Sequence, residues 1–297
     1  MKKKENYCKF IKTVAFIFNR NNSKAIILFK KIVFYIKNRV NIIVPFKILN
    51  FNNITKKVIP INNMKKKDID VIIFIGGDGT LLHIIKKLKD NIPIIGINIG
   101  KVGFLADIDP KHAVLEILKL IDGFKYKNVP QLELIINKKH ICNFLNEMVL
   151  RSINHSQIIS YDIYINNYFI KTIFSDGILF STSIGSTAYA LSNGGPLIHP
   201  SINVIEIIPI APFSLISRPL IIPINSEIKI IIRDPLKKVI CISDGIVIFK
   251  NKKNRIIISN NDTIIIKKYN VPVSFIKIKN SFFYKKINDK LNYNKDN

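Results

Sequence analysis

Five residues, Gly76-Gly77-Asp78-Gly79-Thr80, stand between an unbroken apolar run, Val71–Ile75, and a stretch with helical spacing, Leu81–Leu88. Glycines let a main chain come close to a phosphate, and the start of a helix offers free N–H groups at the positive end of its dipole. Ligands of open α/β sheets collect at the carboxyl ends of the strands, which is where this turn falls. An acid inside such a turn needs a reason, because it repels phosphates. Either Asp78 binds a divalent cation that bridges them, or it takes the proton of an attacking hydroxyl. The plain alternative is a tight turn in which Asp78 caps the helix. His83, one helical turn farther on, projects back towards the loop.

A second cluster begins at Asp176-Gly177 and continues through Ser181–Ser192 to Asn193-Gly194-Gly195-Pro196. Six of the twelve residues from Ser181 to Ser192 are Ser or Thr, and such side chains are costly to order unless something hydrogen-bonds them. Tyr189 offers a ring on which a base can stack, Thr187 and Ser192 offer hydroxyls, and Gly185 permits close backbone approach. No His or Asp stands at a spacing that would make one of these serines a nucleophile. The bland reading is a linker. A third element, Phe144–Leu150, carries Asn146 and Glu147 within an apolar, strand-like run. In a strand the two point to opposite faces, so one faces inward and needs a partner.

The rest of the chain bounds what these clusters can be. With 297 residues, 48% of them hydrophobic, there is ample chain for one large domain or two of ordinary size, and disorder is excluded. Cys8, Cys142 and Cys241 form no paired motif, which argues against a zinc ribbon or a disulfide scaffold and for reduced thiols. No apolar run reaches the roughly 18 to 20 residues of a spanning helix, and Thr13–Phe18 behind the basic start is too short for a signal sequence. A cytoplasmic protein with no membrane role is expected. The formal net charge of +26 first suggests nucleic acid. Yet Ile, Asn and Lys are favoured throughout, as AT-rich codons would give, and the lysines are dispersed without interleaved aromatics. No dedicated nucleic-acid role is expected.

The elements that must position the clusters change character along the chain. Thr13–Asn19 reads as a strand and Lys24–Lys37 as a helix capped by Ser23. Val71–Ile75 and Ile94–Asn98 read as buried parallel strands, and Asp109-Pro110 starts a helix that Gly123 stops after Asp122. From about residue 130, short strands recur at 132–136, 161–165, 178–180, 202–208, 228–232, 239–242, 246–249 and 256–258, with no long helix between them. The fold class is therefore an α/β N-terminal domain with a Rossmann-like parallel sheet, followed by an all-β C-terminal sandwich. The expected domains are 1–125, joined by a returning segment 270–297, and 126–269. The tail beyond Phe283 reads as frayed.

In this order the clusters closely resemble one family, NAD kinase of bacterial type. The resemblance rests on Gly76–Thr80, Gly96-Ile97-Asn98 with Gly103-Phe104-Leu105, Asn146-Glu147, Ser175-Asp176-Gly177, Gly185–Tyr189 and Gly194-Gly195-Pro196. The Gly-Gly-Asp-Gly turn alone is shared with diacylglycerol, sphingosine and 6-phosphofructo-kinases. The Asn-Glu pair and the Gly-Ser-Thr-Ala-Tyr run discriminate among them. What the resemblance implies is an enzyme that uses ATP and a divalent cation, Mg²⁺, to phosphorylate the 2′-hydroxyl of the adenosine ribose of NAD. It also implies a homo-oligomer, dimer or tetramer. By position, Asp78 is the implied general base towards the 2′-hydroxyl with Gly79 beside it on NAD, and His83 occupies a basic position near the dinucleotide. Asn146 and Glu147 correspond to adenine and ribose contacts, and Asp176 to a contact with the nicotinamide end. Thr187, Ala188, Tyr189 and Ser192 enclose the adenine.

Departures from the family pattern fall elsewhere. Ser183 replaces a proline and should loosen the turn before Gly185. Ile246 replaces the glutamine of an Asp-x-Gln motif, here Asp244-Gly245-Ile246. Phe174 is aromatic where a polar residue is usual, and Gln157 replaces a His- or Arg-like contact. They bear on affinity and on inhibition by product. The alternatives are a lipid or sphingoid kinase sharing the glycine turn, or a basic nucleic-acid-binding protein.

Overall fold

A computed structural model of the chain describes residues 6–8, 10–46, 55–100, 105–154, 157–214, 216–249, 255–276 and 287–288. These residues fall into two compact units, Met1–Val129 with Val271–Asn297, and Pro130–Asn270. A division after residue 125 would cut through the strand Phe124–Val129 of the first unit. The expected frayed tail lies outside the described residues apart from 287–288.

The first unit contains strands β1 (Asn6–Cys8), β2 (Thr13–Phe18), β3 (Asn41–Val44), β4 (Thr55–Val58), β5 (Val71–Ile75), β6 (Ile94–Ile97) and β7 (Phe124–Val129). Its helices are α1 (Ser23–Ile36), α2 (Asp78–Lys87) and α3 (Ala113–Ile121). The sheet runs β1, β7, Val273–Ile276, β6, β5, β2, β3, β4. It is parallel from β4 to Val273–Ile276 and antiparallel at β7 and β1, so the sheet is mixed, with a parallel core. Central β5 is buried along its whole length, which is why Val71–Ile75 is apolar without alternation. Helix α1 buries Ala25, Leu28, Phe29, Ile32, Val33 and Ile36, a stripe at helical spacing. Phe29 meets the ring of Phe16 edge-on at 5.2 Å.

Helix starts differ from expectation for identifiable reasons. The cap of α1 is Asn22, whose side-chain oxygen accepts from the Ala25 N–H at 3.1 Å, and Ser23 is already helical. Helix α2 begins at Asp78 rather than near Leu81. Asp109 accepts instead from the Lys111 N–H at 2.8 Å, making a turn of its own, and α3 starts only at Ala113.

The second unit is antiparallel throughout. Its strands are β8 (Leu132–Ile136), β9 (Lys139–Phe144), β10 (Glu147–Ser152), β11 (Ile159–Ile165), β12 (Tyr168–Thr182), β13 (Val204–Pro212), β14 (Leu220–Pro223), β15 (Ile228–Ile232), β16 (Val239–Ser243), β17 (Ile246–Val247), β18 (Ile257–Ile258) and β19 (Ile264–Lys268). The path β17-β16-β10-β12-β11-β15-β19-β8-β9 folds over one apolar core, with Leu132, Phe144, Phe180, Ile230 and Ile264 all inside. Its two ends approach each other where β16 meets β9, so one curled sheet makes the sandwich. Strands β9, β14 and β19 escape the sequence reading because isoleucine-rich surroundings blur their borders. The structure also contains one short helix here, α4 (Tyr189–Ser192).

Among the described residues no helix is long and apolar enough to cross a membrane, which says nothing of membrane-spanning strands. None of the three cysteines forms a disulfide, and Cys241 is buried while the others are half-buried.

One buried acid makes the second unit sensitive to pH. Strand pairing sets Glu147, Ser181 and Glu206 in a row across β10, β12 and β13. Glu206 is completely buried, and burial pushes its carboxyl up to about 7, only partly offset by the Ser181 hydroxyl beside it. The folded state therefore holds this proton more tightly than the unfolded chain does. Stability contributed below the ordinary carboxyl range is lost as pH rises towards 7, by about 3 kcal/mol at most. Denaturant titrations at pH 5 and pH 8 should show Glu206→Gln losing less stability than the parent over this interval. Equal losses in both proteins would mean that Glu206 does not carry the effect.

Candidate active site

The first group of site residues is built by β5 and α2. Gly76 still belongs to the sheet ladder, its N–H donating to the Ile97 carbonyl at 3.0 Å, and any side chain there would collide with Thr80. Gly77 is the N-cap of α2 and offers no side-chain cap, so the helix opens on bare backbone. At Gly77 and Gly79 a Cβ would meet nothing within 4 Å. Packing does not demand glycine at these two places, so their lack of side chains leaves the main chain open to a ligand. Asp78 is the acidic residue of the first helical turn. Its Oδ1 accepts from the Leu105 N–H at 3.0 Å, which fixes the carboxylate's orientation.

Beside this turn lies a cavity of about 610 Å³, lined by Asn19, Arg20, Gly79, Thr80, His83 and Lys87 among others. Its walls are the carboxyl end of β2 and a face of α2 from Gly79 to Lys87, with Phe18, Phe46 and Ile61 supplying apolar surface. An apolar wall with a few cations and amides suits a nucleotide. Burial, then the charges of Lys87 and Lys86, hold the His83 imidazole below its ordinary value. The imidazole thus favours its uncharged, hydrogen-bonding form.

The second group is built by β10, β12 and the segment that follows β12. Asn146 and Glu147 do not lie within one strand: Leu145 and Asn146 form a bend between β9 and β10, and Glu147 opens β10. The bend lets both side chains sit inside, at 9% and 6% exposure. Asn146 Oδ1 is buried and has no hydrogen-bond partner. Beyond β12 the chain makes a 3₁₀ turn, Gly185–Thr187, and then α4. Thr182 Oγ1 donates to the Leu145 carbonyl at 2.6 Å and accepts from the Ile184 and Gly185 N–H groups at 3.2 Å. One hydroxyl thus ties the Asn146 bend to the glycine turn.

The replacement of proline by Ser183 does not leave this turn loose. The Ser183 hydroxyl donates to the Ile202 carbonyl and accepts from the Val204 N–H at 3.4 Å. Serine restores by hydrogen bonding what a proline ring would restrict.

Residues 14–124 match a family profile described as the ATP-NAD kinase N-terminal domain, and residues 145–277 match the ATP-NAD kinase C-terminal domain. The chain belongs to the ATP-NAD kinase family. NAD kinase of Methanosarcina barkeri is 37% identical to it over 232 residues, covering 78% of this chain and 82% of that protein. NAD kinase of Acinetobacter baylyi is 32% identical over 259 residues, covering 83% and 82%. The fold is also that of a yeast NADH kinase solved with NADH, at TM-score 0.78 and 23% identity over 96% of this chain and 88% of that one. An Archaeoglobus fulgidus NAD kinase solved with ATP gives TM-score 0.72 and 24% identity over 93% and 98%. The family matches reach both units, which a lipid kinase sharing only the glycine turn would not explain.

Within this family member the structure sorts the candidate residues into four places. Asp78, Gly79 and His83 share the start of α2. Asn146, Glu147, Thr187, Ala188, Tyr189 and Ser192 gather around the end of β12, with Thr187 buried, Tyr189 43% exposed and Ser192 open to solvent. Phe174 and Asp176 lie farther back on β12, Asp176 about 17 Å along the strand from Ser181 at the usual rise per residue. Gln157, two residues before β11, is exposed near that same end, since Ser160 pairs with Phe174. Ile246 opens β17 two residues after Asp244, half-exposed.

Four residues at these places carried no role in the sequence. Arg20 and Lys87 line the cavity, but nothing in a lysine-rich chain distinguishes them. Thr182 was one hydroxyl among six. Asp244 was visible only as the first residue of an altered motif, and its side chain proves to reach back to the Asn146 bend.

Proposed function

We propose that the protein transfers the γ-phosphoryl group of ATP to the 2′-hydroxyl of the adenosine ribose of NAD, making NADP. The observation that carries this reading is Asn146 Oδ1, an amide oxygen buried beside Glu147 with no partner. A buried acceptor left unsatisfied costs about 1–3 kcal/mol, and a ligand donor such as an adenine amine or a ribose hydroxyl would recover that. Tyr189, more exposed than its neighbour Ala190, offers a ring face for the base.

The bare backbone of Gly77 and Gly79 and the start of α2 bind phosphate oxygens, and the neighbouring cavity takes the rest of the donor nucleotide. Arg20 and Lys87 supply positive charge there. Asp78, oriented by Leu105, takes the proton of the acceptor hydroxyl as the new P–O bond forms. Phosphoryl transfer gains most of its rate from positioning and charge neutralisation, so the base is an addition to a site that first aligns its reactants.

Among the described residues no three His, Cys, Asp or Glu side chains converge to cage a metal. A Mg²⁺ ion at the glycine turn would be held mainly by phosphate oxygens and water, which leaves the Asp78 carboxylate for the proton. When bound, such an ion neutralises phosphate charge. A homo-oligomer accompanies this reading, as the family resemblance implies, together with the cytoplasmic location expected from the sequence.

Calorimetric titration of NAD tests the dinucleotide assignment. Asn146→Ala should weaken NAD binding about tenfold, the loss of roughly one well-made hydrogen bond, and leave ATP binding unchanged. Equal NAD affinity in the two proteins would remove Asn146 from the site.

A further inference from the structure

Asp244 occupies the tight turn between β16 and β17 at φ +45°, a left-handed conformation that non-glycine residues seldom adopt. Its side chain is 7% exposed. A buried carboxylate must be hydrogen-bonded to be tolerated, and this one accepts from three consecutive backbone N–H groups. Oδ2 accepts from Leu145 at 3.3 Å, and Oδ1 from Asn146 at 2.7 Å and Glu147 at 3.2 Å. The Asp244 N–H in turn donates to the Glu147 carbonyl at 2.9 Å.

The opposite side of the same segment is held equally firmly. The Asn146 carbonyl accepts from the Thr182 N–H at 3.0 Å and from Ser181 Oγ at 3.3 Å, and the Leu145 carbonyl accepts from Thr182 Oγ1 at 2.6 Å. Every backbone N–H and C=O from Leu145 to Glu147 is thereby paired. Among the buried side-chain atoms of this segment that have no hydrogen-bond partner is Asn146 Oδ1. A backbone so completely satisfied beside an unsatisfied buried acceptor is a preorganised binding element, because its entropy of ordering has been met before the ligand arrives.

We propose that Asp244 is a positioning residue for dinucleotide binding, its carboxylate fixing the Leu145–Glu147 backbone from one side while Thr182 fixes it from the other. Asp244 acts through Asn146 and Glu147 and needs no contact with the substrate itself. The inference rests on the reading of that pair as the dinucleotide contact. It explains why an aspartate is kept in a left-handed turn where glycine or asparagine would be less strained. Asparagine retains one acceptor oxygen but turns an NH₂ group towards N–H donors, so Asp244→Asn loosens the segment with little change in volume. Thr182→Val removes the second grip and is nearly isosteric.

Steady-state kinetics of the full chain decide the matter. Asp244→Asn and Thr182→Val should each raise KM for NAD by tenfold or more, with KM for ATP within twofold of the parent. In an Asn146→Ala background, Asp244→Asn should add less than twofold, because the residue it positions is gone. A purely structural role would lower the melting temperature and the active fraction but leave both KM values alone. That outcome, in whichever of the two variants folds, overturns the proposal. If Asn146→Ala alone leaves KM for NAD unchanged, the underlying assignment of the pair fails. If Asn146→Ala raises it while folded Asp244→Asn and Thr182→Val do not, only the positioning role fails.

Discussion

Replacing Asp78 with Asn lowers turnover by about 10²- to 10⁴-fold while the protein stays folded, because a well-placed general base contributes that much to a proton transfer. Asparagine is the informative choice. Its amide oxygen still accepts from the Leu105 N–H, which Asp78 now holds at 3.0 Å, so the loop and the start of α2 keep their anchor. What disappears is the ability to take a proton, together with a negative charge beside the phosphates. The loss should appear in kcat with KM for NAD little changed, since Asp78 belongs to the phosphate turn of α2. Near-full turnover in a folded Asp78→Asn protein would show that Asp78 is no more than a structural acid of the first helical turn, anchoring Leu105.

Gly185→Ala has the second large effect, and on binding and stability together. A Cβ at this position would overlap the Asn146 carbonyl oxygen and approach its carbonyl carbon to 2.6 Å and Ser181 Oγ to 2.5 Å. The obstacle is backbone and cannot swing aside, for the Asn146 carbonyl accepts from Thr182 and Ser181 and its N–H is held by Asp244. The turn must move instead. Overpacking of this kind costs about 1–3 kcal/mol, and the displaced Thr187 and Tyr189 should weaken NAD binding by roughly tenfold or more. Thermal unfolding and NAD titration of the same sample measure both. Gly79→Ala is the contrast. It lies in α2 with nothing within 4 Å of its Cβ, so stability should hold or rise slightly and any activity lost reports approach of the ligand to the backbone. A Gly185→Ala protein with parental stability and NAD affinity would contradict the packing argument.

Much of this was legible because strong local chemistry coincides with strong periodicity. Val71–Ile75 followed by two glycines and an acid announces a buried strand and a ligand-facing turn, and β5 with α2 is what forms. The change from helix-bearing to strand-only texture near residue 130 is equally readable, since alternating short apolar runs suit a half-buried antiparallel sheet. What escaped was non-local. The grip of Asp244 on residues almost a hundred positions earlier depends on β16 pairing with β10, and no local pattern announces that pairing. The bend at Leu145-Asn146 was read as strand because its neighbours are apolar on both sides. Glu206 was passed over because an acid inside Val204–Pro212 looks like a solvent-facing alternation until β12 and β14 cover it on either side. The caps of α1 and α3 went to neighbouring Asn and His residues because serine and Asp-Pro signals mark a turn as readily as a helix start.

The measurement that bears most directly on the reaction is a coupled assay on the purified chain with NAD, ATP and Mg²⁺, in which an NADP-specific dehydrogenase cycles the product and absorbance reports it. The dehydrogenase recognises the 2′-phosphate, so the assay reads the site of phosphorylation as well as its occurrence. Signal that requires all three components and falls by about 10²-fold or more in Asp78→Asn is what this structure predicts. ATP consumed by a folded protein without any NADP formed would contradict the assignment of the acceptor.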